Sequence, residues 1–167
     1  WSDQTIGKIR FYPSVGDLDN DEQLEIVVPS FNYQTREYKI YIYNADGSDF
    51  IAPISVDMIN PYLFDSTTRF ESSPALADLN GDNNLEIILG LPDGSVRVFN
   101  YDGSLLWRYD SGVSYTSRSP AIGDIDLNGD LEIVIPIKSK IYAFNHDGTL
   151  VQGWPITFTY SITSSPT

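Results

Sequence analysis

At 167 residues the chain is long enough for one domain with its own core. Its 41% hydrophobic and 13% aromatic content exclude a disordered chain, its lack of cysteine excludes disulfides and thiolate metal sites, and it has no apolar run long enough to span a bilayer as a helix. A formal charge of −13, from 23 acidic against 10 basic residues, argues against nucleic acid as a partner, because no basic patch would offset phosphate repulsion.

Taken in chain order, the sequence is a succession of short strands rich in Val, Ile, Tyr and Phe, with no helical period. It opens at Trp1 with neither Met nor a signal peptide, as a mature piece or an excerpt would. The first group of expected strands covers 11–16, 24–31, 37–44 and 49–55. The second covers 73–77, 85–91, 95–100 and 104–109. The third covers 119–123, 131–137, 140–145 and 149–153. Between the first two strands of each group lies an acidic nine-residue loop: DLDNDEQLE (17–25), DLNGDNNLE (78–86) and DIDLNGDLE (124–132). Between the last two lies an Asp-Gly turn (46–47, 102–103, 147–148), where Gly accepts a positive φ.

The landmarks recur in register. A Pro stands four residues before each loop (Pro13, Pro74, Pro120), and a Trp closes the later repeats at Trp107 and Trp154. Four-stranded units of this length predict β-propeller blades, here at about 8–69, 70–116 and 117–162, with 163–167 beginning another. Trp1 to Pro13 matches Trp154 to Pro166 in length, so the chain reads as part of a longer array or as a unit that joins copies of itself. A homo-oligomer completing the propeller is one expectation.

Each acidic loop carries an oxygen-bearing side chain at positions 1, 3, 5 and 9, and the three loops hold twelve of the 23 acidic residues. A hard cation such as Ca²⁺ takes six to eight oxygens at once, and alternating carboxylates on a tight turn can supply them. Mg²⁺, which keeps waters in a strict octahedron, suits such loops less well.

The segments SSPALADLNGDNNLEIILG and SPAIGDIDLNGDLEIVIP resemble FG-GAP repeats, also called VCBS-type repeats, the calcium-loop blades of integrin α-subunit propellers and many bacterial surface proteins. The likeness departs from the integrin pattern at position 9, which is Glu here. It implies up to three Ca²⁺ ions. In the first loop the side chains of Asp17, Asp19, Asp21 and Glu25 would bind, with the Gln23 carbonyl. In the second they would be Asp78, Asn80, Asp82 and Glu86, with the Asn84 carbonyl. In the third they would be Asp124, Asp126, Asn128 and Glu132, with the Asp130 carbonyl. The turn residues at position 6 are Glu22, Asn83 and Gly129, and of these Glu22 is the least suited to a left-handed backbone.

The resemblance implies a non-catalytic, calcium-binding module of a secreted or cell-surface protein that binds protein or carbohydrate, as in adhesion. An alternative is an accessory propeller of a larger extracellular enzyme, such as a polysaccharide lyase or peptidase. The segment VFNYDGSLLWRYDSG is also similar to quinoprotein-type propeller repeats, which lack the acidic loop. No catalysis is expected within this segment: the acids outside the loops form no recognisable pair, and the sole histidine, His146, sits in a turn.

The first repeat is longer than the others both in its second-to-third-strand hairpin and in the crossover that follows it. By the topology of a four-stranded meander, both insertions project from the face opposite the acidic loops. They carry Tyr33, Arg36, Tyr62, Phe64 and Arg69, candidate residues for a protein or glycan ligand. Trp107 and Trp154 recur at repeat positions and are expected to serve in blade packing rather than as sugar platforms.

Overall fold

The computed structural model describes residues 9, 12–58, 72–113 and 118–166. Among these there is no helix; twelve strands form three four-stranded antiparallel sheets. The first sheet comprises β1 (Ser14–Gly16), β2 (Glu25–Asn32), β3 (Glu37–Tyr43) and β4 (Ile54–Val56). The second comprises β5 (Ala75–Ala77), β6 (Glu86–Gly90), β7 (Ser95–Phe99) and β8 (Leu105–Asp110). The third comprises β9 (Ala121–Gly123), β10 (Glu132–Ile137), β11 (Lys140–Phe144) and β12 (Ile156–Thr157). Each sheet is a simple meander in which every strand pairs with its sequence neighbours. The three sheets are propeller blades that do not close a ring.

The period-2 geometry of strands explains how the blades stack. On β6, Ile87 and Leu89 join the core shared with the first sheet, while the intervening Ile88 joins the core shared with the third. On β7 the parity continues: Phe99 packs toward the first sheet, and Val96 and Val98 toward the third. The middle strands therefore bury side chains on both faces, and β6 and β7 are buried along their whole length, Arg97 included. Hydrogen bonds at the entry to each first strand link the first blade to the second, the second to the third, and the third to the C-terminal segment, at repeat spacing. Ser14 Oγ donates to the Pro74 carbonyl (2.6 Å), Ser73 N–H to Ser119 Oγ (2.8 Å) and Ser119 N–H to Ser165 Oγ (3.2 Å).

The Asp-Gly turns share one architecture. In each, the Asn N–H bonds to the Ser or Thr carbonyl four residues on, and the Gly N–H returns to the Asn carbonyl. The Asp carboxylate accepts from both the N–H and the hydroxyl of Ser48, Ser104 or Thr149. A further turn of this kind, Asp93-Gly94, joins β6 to β7 and lies within the expected second-to-third-strand connection.

Two expectations about strands need correction. The first strands begin one residue after Pro13, Pro74 and Pro120, not before or at them, because Pro has no N–H for the ladder. The fourth strands of the outer sheets lie later than expected, at 54–56 rather than 49–55 and at 156–157 rather than 149–153. In both, the chain pairs briefly after the turn (Tyr43 with Asp49, Phe144 with Leu150), leaves the ladder around Pro53 or Pro155, and rejoins it. The second sheet has no Pro there, and β8 is continuous apart from a bulge at Leu106, opposite Val98 and Phe99 of β7.

Two predictions follow from the turns. At Gly148 (φ +85°) an added Cβ would come within 2.7 Å of the Trp107 ring, whereas at Gly129 (φ +99°) nothing lies within 4 Å. Both substitutions by Ala incur left-handed strain of about 1–2 kcal/mol, and Gly148→Ala adds a clash with an indole held at the blade interface. In denaturant titrations Gly148→Ala should therefore lower stability clearly more than Gly129→Ala; equal losses would refute the packing argument. The Asp102 carboxyl is held below its usual range chiefly by the Ser104 hydroxyl and N–H. A depressed pKa means this stabilisation is complete above the ordinary Asp range and fades as pH falls through it. NMR titration should show Asp102 ionising at lower pH than a free aspartate, and Ser104→Ala should move it back up.

Candidate metal centres

The three acidic loops fold alike because three of their side chains satisfy the same backbone groups. The position-1 Asp accepts the N–H groups of positions 5 and 6. Asp17 takes Asp21 (3.0 Å) and Glu22 (2.9 Å), Asp78 takes Asp82 (3.2 Å) and Asn83 (2.9 Å), and Asp124 takes Asn128 (3.1 Å) and Gly129 (3.0 Å). The position-5 side chain accepts the N–H of position 7: Gln23 to Asp21 (2.8 Å), Asn84 to Asp82 (2.8 Å), Asp130 to Asn128 (2.7 Å). The position-9 Glu accepts the N–H of position 2: Leu18 (2.8 Å), Leu79 (2.7 Å) and Ile125 (2.8 Å).

This winding requires left-handed backbone at two positions. Position 6 is Glu22 (φ +69°), Asn83 (+70°) or Gly129 (+99°), as the sequence suggests. Position 4 is also left-handed: Asn20 (+59°), Gly81 (+77°) and Leu127 (+62°). The sequence reasoning missed position 4, although an Asn and a Gly there were the available signal. Leu127 contradicts that signal, being a branched residue in a left-handed conformation with its side chain 88% exposed.

The electrostatics are unfavourable in the absence of a cation. The position-9 glutamates begin β2, β6 and β10 and are buried: Glu25, Glu86 and Glu132 are 2%, 1% and 0% exposed. Burial raises the Glu25 and Glu86 carboxyls above their usual range, and the neighbouring aspartates push them further in the same direction. Carboxylate oxygens of Asp17, Asp19 and Asp21 approach within 4.8 Å of one another, as do those of Asp124, Asp126 and Glu132. Two oxygens in these groups, Asp19 Oδ1 and Glu132 Oε1, are inaccessible and lack any hydrogen-bond partner. A buried acceptor without a donor is costly, and a divalent cation is the partner these atoms fit. In the second loop the Asn80 amide takes that place, its Nδ2 lying 3.1 Å from both Asp82 Oδ2 and Glu86 Oε1.

Of the loop side chains named from the sequence, the structure brings together Asp17, Asp19 and Asp21 in the first loop, Asn80, Asp82 and Glu86 in the second, and Asp124, Asp126 and Glu132 in the third. Gln23, Asn84 and Asp130 serve the winding through their N–H groups, and the Asp130 carboxylate turns toward His146, with Oδ2 3.8 Å from Nδ1. The acidic loops and Asp-Gly turns share one end of the sheets: Asp78, Asn80, Asp130 and His146 line a common crevice between the second and third loops. At the opposite end, Tyr33 sits edge-on to Phe31 (4.9 Å, 88°) and packs on the core, and Arg36, partly buried, has φ +63°. Tyr62, Phe64 and Arg69 fall outside the described residues. Trp107 packs at the blade interface, with its Nε1 donating to the His146 carbonyl (2.9 Å) and its ring 5.7 Å from Phe144.

A family model described as FG-GAP-like repeat matches residues 17–89 and 78–135. No curated protein matches the chain. Among solved structures it is similar to BBS1N, crystallised with ARL6DN and soaked with lead, at a TM-score of 0.51 and 12% identity over 93% of this chain and 59% of that one. It is also similar to a protein of unknown function from Bacteroides caccae (TM-score 0.49, 14% identity, 94% of this chain and 48% of that one). A third likeness is to the V. cholerae biofilm matrix protein Bap1 (TM-score 0.38, 19% identity, 87% of this chain and 28% of that one). The chain thus spans less than two thirds of each of these structures, and at such identities the likeness to BBS1N concerns the fold alone.

Position 4 of the third loop gives a direct test of the strain. Leu127→Gly should stabilise the protein by roughly 1 kcal/mol, the left-handed penalty less the added chain entropy of glycine. Denaturant unfolding would measure it, and a destabilised variant would show that the Leu127 backbone is not strained.

Proposed function

The chain belongs to the FG-GAP-like repeat family, and from that premise we propose that its acidic loops bind up to three calcium ions that fasten the first two strands of each blade. The observation that carries this reading is Glu132, wholly buried, with one oxygen held by the Ile125 N–H and the other without a partner beside Asp124 and Asp126. Asp124, Asp126, Asn128 and Glu132 would hold the ion of the third loop. Asp17, Asp19, Asp21 and Glu25 would hold that of the first. Asp78, Asn80, Asp82 and Glu86 would hold that of the second once the Asn80 amide presents its oxygen. Bound calcium would supply charge neutralisation at three crowded loops and needs no catalytic role.

The module in this reading is non-catalytic and belongs to a secreted or cell-surface protein, where millimolar calcium would saturate weak, open loop sites. Among the described residues no helix is long and apolar enough to cross a membrane. Its part would be to present a rigid face to a protein or carbohydrate, with the long hairpin of the first blade, bearing Tyr33 and Arg36, opposite the metal end. A further sheet of the same kind, from a second copy or elsewhere, would cover Ile125. That residue is 43% exposed where its equivalents Leu18 and Leu79 are buried under the following blade.

Calcium titration tests the proposal. At a hundredfold excess over Kd, each ion should add about 2.7 kcal/mol, which raises Tm by roughly 5–10 °C for a chain of this size. Chelator should reverse the gain, and Glu132→Gln should lose part of it while keeping the response of the other loops. An identical melting curve in calcium and in chelator would overturn the reading.

A further inference from the structure

The two blade interfaces differ at one quasi-equivalent place. Counted from the Asn that opens each Asp-Gly turn, Tyr41, Arg97 and Tyr142 occupy the same position on β3, β7 and β11. Between the second and third sheets, Tyr142 meets Tyr109 (centroids 5.5 Å apart) and stacks on Phe144 (5.9 Å, 5°). Between the first and second sheets the corresponding pair is Ile54 and Arg97, and beside them opens a half-enclosed cavity of about 220 Å³.

Arg97 is 3% exposed. Its Nη1 donates to Asp110 Oδ1 (3.1 Å) and to the Val96 carbonyl (3.1 Å), and its Nη2 to the Asp57 carbonyl (3.3 Å). Arg108, also lining the cavity, is 58% exposed and approaches the other oxygen of Asp110 only at 3.5 Å. Two guanidinium groups therefore share one carboxylate, and the outer one keeps most of its donors for solvent. The apolar lining comes from both blades: Ile54 and Val56 of β4 face the arginines, and Phe99 and Leu105 lie beside them on β7 and β8. Asp57 also borders the cavity, with an exposed side chain. In a protein of net charge −13, this cleft gathers two arginines, offset by Asp110 and Asp57, so it is locally neutral where the rest of the surface is acidic.

We propose that this cleft between the first and second blades binds a small organic monocarboxylate. Its apolar body lies on Ile54, Val56, Phe99 and Leu105, and its carboxylate pairs with Arg108, with Arg97 a fixed positive charge behind it. Asp57 at the border disfavours a second negative charge on the ligand. The cavity shares no residue with the acidic loops, so the proposal stands or falls separately from calcium binding.

The test uses the full chain in calcium buffer, with benzoate, benzyl alcohol and inorganic phosphate as probes followed by NMR. Benzoate at millimolar concentration should shift the signals of Ile54, Val56 and Leu105. Arg108→Ala, on an exposed side chain, should weaken that binding about tenfold or more, as expected for loss of a charge-assisted pair, with Tm unchanged. Arg108→Lys should recover part of it. Benzyl alcohol binding as tightly as benzoate would reduce the cleft to an apolar crevice. Equal binding of phosphate would reduce it to unspecific anion attraction. Either result, or the absence of any benzoate shift, or an unaltered affinity in Arg108→Ala, overturns the proposal.

Discussion

The structure depends on a carboxylate buried at the head of the second strand of every blade. Glu25, Glu86 and Glu132 each stand where an acidic loop runs into the most apolar strand of its sheet, with almost no exposure to water. A buried anion is tolerated only with donors or a counter-charge. Each glutamate accepts the backbone N–H of position 2 of its own loop, and that bond ties the start of the loop to its end. The same N–H belongs to the residue whose apolar side chain, Leu18 or Leu79, plugs the next blade interface. Loop winding, strand pairing and blade stacking thus meet at one acidic side chain, and the carboxylates gathered around it make this junction, rather than a distant turn, the place where a cation would fit.

From that junction the rest of the fold is repetition with alternation. Because side chains of a strand alternate between faces, the two inner strands of a blade must be apolar on both sides to serve two interfaces. The Leu85 N–H bond to the Leu18 carbonyl (2.9 Å) joins adjacent loops directly, so the register of one blade constrains the next. Repetition also makes departures conspicuous. A buried arginine where its counterparts are tyrosines puts a fixed charge into one interface and leaves room that aromatic rings occupy in the other.

Most of this was legible in the sequence, for identifiable reasons. The acidic loops could be read because spacing alone dictates which side chains converge, and the Asp-Gly turns because glycine declares a positive φ. The second and third strands fell within a residue of expectation, since their apolar runs are buried on both faces. The fourth strands of the two outer sheets did not: Pro53 and Pro155 interrupt the ladder where composition still suggests a strand. Position 4 escaped notice because Leu127 carries no turn signature. Arg97 escaped because no local pattern distinguishes a buried arginine from a surface one; only the opposing blade shows what surrounds it.

The three loops resolve the conflict between charge and backbone strain differently. The first has aspartates at positions 1, 3 and 5 and sets Glu22, unsuited to positive φ, at position 6. The second replaces one aspartate by Asn80 and places Gly81 and Asn83 at both left-handed positions, so its apo form is the least strained, and the Asn80 amide already occupies the space between Asp82 and Glu86. The third has its glycine at position 6 but pays at Leu127. The backbone bonds to the position-1 aspartate impose the winding and its strain. Repulsion among the carboxylates is what a bound cation would remove. On the proposed reading the first loop, with the most carboxylates and only the Gln23 amide donating to one of them (Asp21 Oδ2, 2.9 Å), would gain most from an ion, and the second, whose Asn80 amide already lies between Asp82 and Glu86, least.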